Sequence, residues 1–204
     1  MTLPQRYRRF PGDHAPPGRL PGVEILRPGT DPGPAGKAVP AAQRLAGQDI
    51  DLLYCDDDWL PAPNWAAGFI AAARARPGTV ICASGFDVHR LGLIPGPKQP
   101  RGDGPGAGFV DIAQGFGGVL IRPGWLADFT PTPDAWAVDD IALSAHFARR
   151  GRPIWKEPGL RTLTRPLADP HRLQDARIGG IDRATANRQV AARLARRHHI
   201  WSEP

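Results

Sequence analysis

The sequence predicts an α/β fold: a single domain with a mixed, mostly parallel sheet flanked by helices. Short apolar runs of strand character alternate with helical segments in the order strand, helix, strand, helix, strand, which is the pattern of a parallel sheet with crossover helices. A chain of 204 residues can bury one sizeable core and is short for two domains. No internal repeat or break in composition marks a second unit. Residues 1–204 are therefore read as one domain, ending in a basic helical tail over about 183–199.

Each element follows from local chemistry. Residues 23–27 alternate and end in Pro28-Gly29, which predicts a short strand. Residues 34–45 suit a helix, with Pro34 tolerated in its first turn. The apolar run 50–55 predicts a buried strand. Asn64 is placed to cap a helix to about Ala75, in which Trp65, Phe69 and Ala73 recur on one face. Pro77-Gly78 ends it, and residues 79–83 read as another buried strand. The segment 84–87 reads as a turn, and 95–108 as a long loop. Residues 109–112 and 119–121 predict two strands joined by a glycine turn at 115–118. A helix over 139–149 follows, stopped by Gly151, then a short strand at 153–155 and a basic helix over 184–197.

Composition bounds the function. The net charge of +6 favours anionic partners without specifying a fold. The two cysteines, Cys55 and Cys82, lie in apolar runs and have no metal or disulfide spacing. There is no apolar stretch of membrane-spanning length, and the N-terminus lacks the apolar segment of a signal peptide. The expected location is the cytoplasm.

The most informative feature is the strand 50–55 running into Asp56, Asp57, Asp58 and Trp59. Adjacent carboxylates repel and are tolerated where a cation or solvent neutralises them. Asp56 and Asp58 share a face of an extended segment, and two hard oxygen donors suit Mg²⁺ or Mn²⁺, which in turn grip phosphates. The carboxyl end of a strand is also where open α/β sheets bind ligands. The competing reading is a solvated turn, or a cap for the helix that follows. Asp139 and Asp140 form a second acidic pair at a helix start. There they complement the helix dipole, and they are also placed to act as a general base. Trp59 and Trp136 flank the two acidic groups, with ligand stacking and packing both open.

Two rival motif readings are weaker. A P-loop ending at Gly36-Lys37 requires Gly at position 31 and Ser or Thr at 38, where the chain has Asp31 and Ala38. A phosphatase DxDx[TV] motif fails at Leu60.

Taken together, the run 52–59, the stretch 111–120, the segment 136–143 (W-A-V-D-D-I-A-L) and Gly33-Pro34-Ala35-Gly36-Lys37 resemble the GT-A-fold glycosyltransferases of the family 2-like type, over about residues 2–190. The resemblance implies a nucleotide-sugar donor, with UDP as its nucleotide, and a hydroxyl acceptor on a glycan or glycolipid. It implies Mn²⁺ or Mg²⁺ held by Asp56 and Asp58, with His171 as a further ligand, and Asp140 with Asp139 as the base of an inverting reaction. Asp57, Lys37, Gly117, Gly118 and Trp136 would contact the donor. In such domains a full strand precedes a T-x-P-x-R segment; here Thr2-Leu3-Pro4-Gln5-Arg6 opens the chain, so the first strand is expected to be missing or truncated. The alternative function is a non-enzymatic basic module binding nucleic acid or anionic membrane through Arg183, Arg188, Arg193, Arg196 and Arg197. Acids clustered beside a core strand disfavour nucleic acid as the partner. On the transferase reading, the same basic face suits peripheral contact with the inner face of a membrane. His198-His199 lack further ligands and are read as non-metal.

Overall fold

The computed structural model describes residues 1–93, 106–167 and 180–201. Its strands are β1 (Leu52–Tyr54), β2 (Trp59–Pro61), β3 (Val80–Phe86), β4 (Gly108–Val110), β5 (Ile112–Ile121), β6 (Ile154–Lys156) and β7 (Thr164–Pro166). Its α-helices are α1 (Val39–Arg44), α2 (Trp65–Ala75), α3 (Asp139–Arg149) and α4 (Arg183–His198). The main sheet has the order β1-β5-β3-β6-β4, and β2 pairs with β7 in a separate ribbon.

Alternate residues of β3 bury Val80 and Cys82 on one face, and Ile81 and Ala83 on the other. The first face packs with α1 and α3 through Ala42, Leu143 and Phe147. The second packs with α2 and the 3-10 turn Pro158–Leu163, through Phe69 and Leu160. Helix α4 lies outside α3, burying Val190, Ala191 and Leu194 against Val138, Ile141 and Ala145. Among the described residues no helix is long and apolar enough to cross a membrane.

The α/β class holds, but the sheet is not mostly parallel. Among the described strands of this sheet only β3 and β6 pair in parallel; β1–β5, β3–β5 and β4–β6 are antiparallel. The crossover through α2 does give β1 and β3 a common direction, as expected. Strand β5 then inserts between them in the opposite sense and turns two would-be parallel neighbours into antiparallel ones.

A related correction concerns the glycines. No turn occurs at 115–118: β5 runs continuously from Ile112 to Ile121. Ladder pairs flank this stretch, to β3 up to Gln114 and to β1 and β3 from Val119, and between them a register shift opposite Cys82 and Ser84 makes the glycines a bulge within β5. Gly118 has φ +115°, and a Cβ there would meet Trp65 at 2.7 Å and Phe69 at 2.8 Å. The expected turn at 84–87 is likewise strand through Phe86.

Three further boundaries moved. The helix expected over 34–45 is a 3-10 turn, Gly33–Lys37, followed by the short α1, with the break at Ala38. The strand expected at 23–27 reduces to a single parallel bridge from Leu26 to Thr2 in a Pro- and Gly-rich surface segment. The 50–55 strand is paired only over Leu52–Tyr54. Helices α2, α3 and α4 stand close to expectation, although Asn64 makes no side-chain cap bond to α2.

Because Gly118 combines a left-handed backbone with direct contact to α2, Gly118→Ala is expected to lower stability by roughly 2–5 kcal/mol. Urea unfolding followed by far-ultraviolet circular dichroism measures this. A loss below about 0.5 kcal/mol, the usual scale of a surface substitution, would show that the close approach is not a constraint.

Candidate functional site

The two acidic groups, distant in sequence, meet at one ammonium. Lys37 Nζ lies 2.7 Å from Asp56 Oδ1, 2.8 Å from Asp139 Oδ2 and 3.5 Å from Asp140 Oδ1. The lysine side chain is only 10% exposed, and the Asp139 side chain is fully buried. Three elements supply these groups. Lys37 ends the 3-10 turn Gly33–Lys37, Asp56 follows β1, and Asp139 and Asp140 occupy the first turn of α3.

Local chemistry holds each group in place. Asp31 fixes the turn that carries Lys37, its carboxylate accepting from the Gly33 N–H and the Arg8 N–H, each at 2.8 Å. Trp136 packs on the same turn: its indole N–H donates to the Asp31 carbonyl at 3.3 Å, and a Cβ on Gly33 would come within 2.6 Å of the ring. Asp139 and Asp140 lie at the positive end of the α3 dipole, which favours carboxylates. The Gly115 N–H donates to Asp140 Oδ1 at 3.0 Å. Gly115 is required there, because a Cβ would overlap Lys37 Nζ at 2.4 Å.

The electrostatics follow from burial and sign. Burial raises the Asp140 carboxyl, Lys37 opposes the rise, and the charges of Asp139 and Asp56 add to it; the net result is a pKa of about 6. Burial alone would depress Lys37, but Asp139, Asp140 and Asp56 outweigh it and hold the ammonium well above its usual value. Burial pushes the Tyr54 phenol up, so it stays neutral beside the cluster. Cys55 is raised by burial and then by Asp56, leaving an unreactive thiol. One ammonium among three carboxylates leaves the site negative when all are ionised, and Asp139 Oδ1 has no hydrogen-bond partner among the described residues.

The remaining residues named from sequence are more dispersed. Asp57 is exposed, and Asp58 is half-buried, with its backbone carbonyl accepting from the Leu167 N–H at 2.7 Å. Gly117 and Gly118 make room for protein side chains: a Cβ on Gly117 would lie 3.2 Å from Arg161 Cδ and 3.3 Å from Ala83. His171 lies outside the described residues. Among the described residues, no three His, Cys, Asp or Glu side chains are already gathered as a metal cage. An open cavity of about 420 Å³, lined by Arg6, Tyr7, Pro11, Gly12 and Asp13, lies in the N-terminal segment. It is close enough to the acidic run for Asp57 to help raise Tyr7, after burial and Asp31.

Sequence reading missed two features of this region. The backbone contact of Gly115 with Asp140 depends on β5 continuing as a bulged strand, and the glycine-rich composition suggested a turn instead. Arg161, over the rings of Trp59 and Phe116, belongs to no motif, and its place is set by the packing of the turn Pro158–Leu163. Comparison with known protein families and with curated proteins finds no match to this chain.

Lys37→Met removes the cation and leaves the buried Asp139 and the partly buried Asp56 and Asp140 uncompensated, a change worth about 3–5 kcal/mol of stability at pH 8. The Lys37 pKa is raised in the folded chain, so its stabilisation is fully present at neutral pH and is lost only above the unfolded value. Asp140 has a folded pKa above its unfolded one, so its ionisation costs stability as pH rises through about 4 to 6. The deficit of Lys37→Met should therefore shrink between pH 8 and pH 5, as protonation relieves the cluster. Urea midpoints at the two pH values measure it, and a pH-independent deficit would count against the electrostatic account.

Proposed function

We propose that this protein is a glycosyltransferase of GT-A type, moving a sugar from a nucleotide-diphosphate donor, with UDP as the nucleotide, to a hydroxyl acceptor on a glycan or glycolipid. The observation that carries the reading is the convergence of the acids at the end of β1 with the acids at the start of α3, around Lys37. The donor-binding group must reach the leaving diphosphate and the base must reach the attacking hydroxyl, both at one anomeric carbon, so a transferase needs two such groups close together.

Hard oxygen donors and an excess of negative charge fit Mg²⁺ or Mn²⁺. Asp56 and Asp58 would hold the cation, with Asp57 beside them. When bound, it would neutralise charge developing on the departing diphosphate. Asp140 is the base. Its carboxyl is fixed by the Gly115 N–H, and a pKa of about 6 keeps it ionised at neutral pH yet basic enough to take the acceptor proton. Attack with that proton removed on the face opposite the diphosphate inverts the anomeric centre. Lys37 and Asp139 hold the base and the donor site in fixed relation. Trp136 acts through the Gly33–Lys37 turn that it packs against. The open depression lined by Arg6 and Tyr7 offers space for the nucleoside. The exposed Arg188, Arg196 and Arg197 of α4 suit contact with an anionic membrane bearing a glycolipid acceptor.

UDP titrated calorimetrically with Mn²⁺ is expected to bind, and to lose binding without the metal or in the Asp56→Ala/Asp58→Ala double variant. Metal-independent UDP binding, or binding unchanged by the two substitutions, would reject the donor site. Asp140→Asn should retain UDP binding while turnover of an accepted donor falls about 10²- to 10⁴-fold. The wild-type rate should rise with pH through an apparent pKa near 6. Full activity in Asp140→Asn would remove Asp140 from the role of base.

A further inference from the structure

Beside the acid cluster lies a group of side chains that the donor and base assignments do not use. Trp59 directly follows Asp58, and Phe116 directly follows Gly115, whose N–H binds Asp140. Their rings lie 5.1 Å apart at 38°. The Arg161 guanidinium sits 3.9 Å over the Trp59 ring and 5.2 Å from the Phe116 ring. All three residues are half-buried.

The hydrogen bonding of Arg161 is incomplete. Its Nη1 donates to the carbonyl and the hydroxyl of Thr164, both at 3.3 Å, while Nε and Nη2 have no partner among the described residues. No carboxylate among the described residues pairs with it. Burial lowers its pKa, and no facing anion offsets that effect. Stacking on two rings orients the planar fork but satisfies none of its N–H groups. A partly desolvated guanidinium with idle donors, beside an apolar wall, matches a ligand with a ring face and an anionic group at its edge.

We propose that Trp59, Phe116 and Arg161 form the acceptor subsite, and that it takes a pyranose bearing an anionic group, a carboxylate or a phosphate. The inference rests on the transferase reading for the word acceptor; the binding itself does not require it. The rings cover an apolar sugar face, and the free side of the guanidinium takes the anion through two parallel N–H donors. Trp59 follows Asp58 and Phe116 follows Gly115, so the subsite adjoins the acid cluster along the chain. Specificity for an acidic acceptor then comes from Arg161.

The test uses the intact chain without nucleotide or metal, and follows binding of methyl glucuronide, glucose 6-phosphate and methyl glucoside by ligand-observed NMR. At least one anionic sugar should bind about tenfold or more tightly than the neutral one, the scale of a charge-assisted contact, and the tighter of the two identifies the anion. Arg161→Gln should abolish this preference, Arg161→Lys should retain part of it, and Trp59→Leu should weaken all three sugars. Equal binding of charged and neutral sugars, absence of sugar binding, or an unchanged preference in Arg161→Gln would overturn the proposal. Wild-type UDP and Mn²⁺ titration reads the donor site separately, so failure of the subsite is distinguishable from failure of the transferase reading.

Discussion

Three carboxylates occupy one partly buried region of a small domain because Lys37 places a positive charge among them. Its ammonium lies within 3.5 Å of Asp56, Asp139 and Asp140, which belong to two otherwise separate segments. Without that charge the acids would separate toward solvent or take up protons. The arrangement ties the Gly33–Lys37 turn, the end of β1 and the start of α3 into one unit. It also explains the layer beneath: Asp31 and Trp136 secure the turn, and the α3 dipole favours the acids at its first turn.

Close approach of backbone and side chain is the second constraint. β5 passes between β1 and β3 and presents Gly115 to Lys37 and Asp140 on one side, while Gly117 and Gly118 admit Arg161, Trp65 and Phe69. Any larger residue at Gly115 would displace the ammonium from the acids. The glycines thus serve the density of packing around a bulged strand, in place of a reversal of chain direction. Along this strand Gly115 meets the ionic cluster and Gly117 meets Arg161, so a charged site and an aromatic one adjoin.

A functional reading grows from this juxtaposition. One side gathers charge, with a carboxyl whose pKa of about 6 suits proton abstraction at neutral pH. The other gathers rings and a guanidinium with unused donors. The proposed transferase places leaving diphosphate, base and acceptor sugar in these neighbouring compartments, an economical use of a domain of this size.

Much of this was legible in the chain. Residues 65–75, 139–149 and 184–197 declare their helices through periodicity and stop signals, and the apolar run before Asp56 declares a strand ending in acid. Both acidic groups and Lys37 can be singled out by residue type and position. Strand direction could not be read, because apolar alternation is the same for parallel and antiparallel pairing and only long-range partners distinguish them. The glycines at 115–118 were ambiguous for the same reason: their composition fits a turn or a crowded strand, and the long-range pairing of β5 before and after them decided for a bulged strand. Nor could any local pattern bring Arg161 to Trp59, since that contact depends on how the turn Pro158–Leu163 packs on the sheet. The sequence by itself determined which segments become helices and where charge accumulates, because backbone propensity and side-chain chemistry act over a few residues. Tertiary structure alone decided which charges meet, because burial and Coulomb energy depend on distances that the order of residues does not specify.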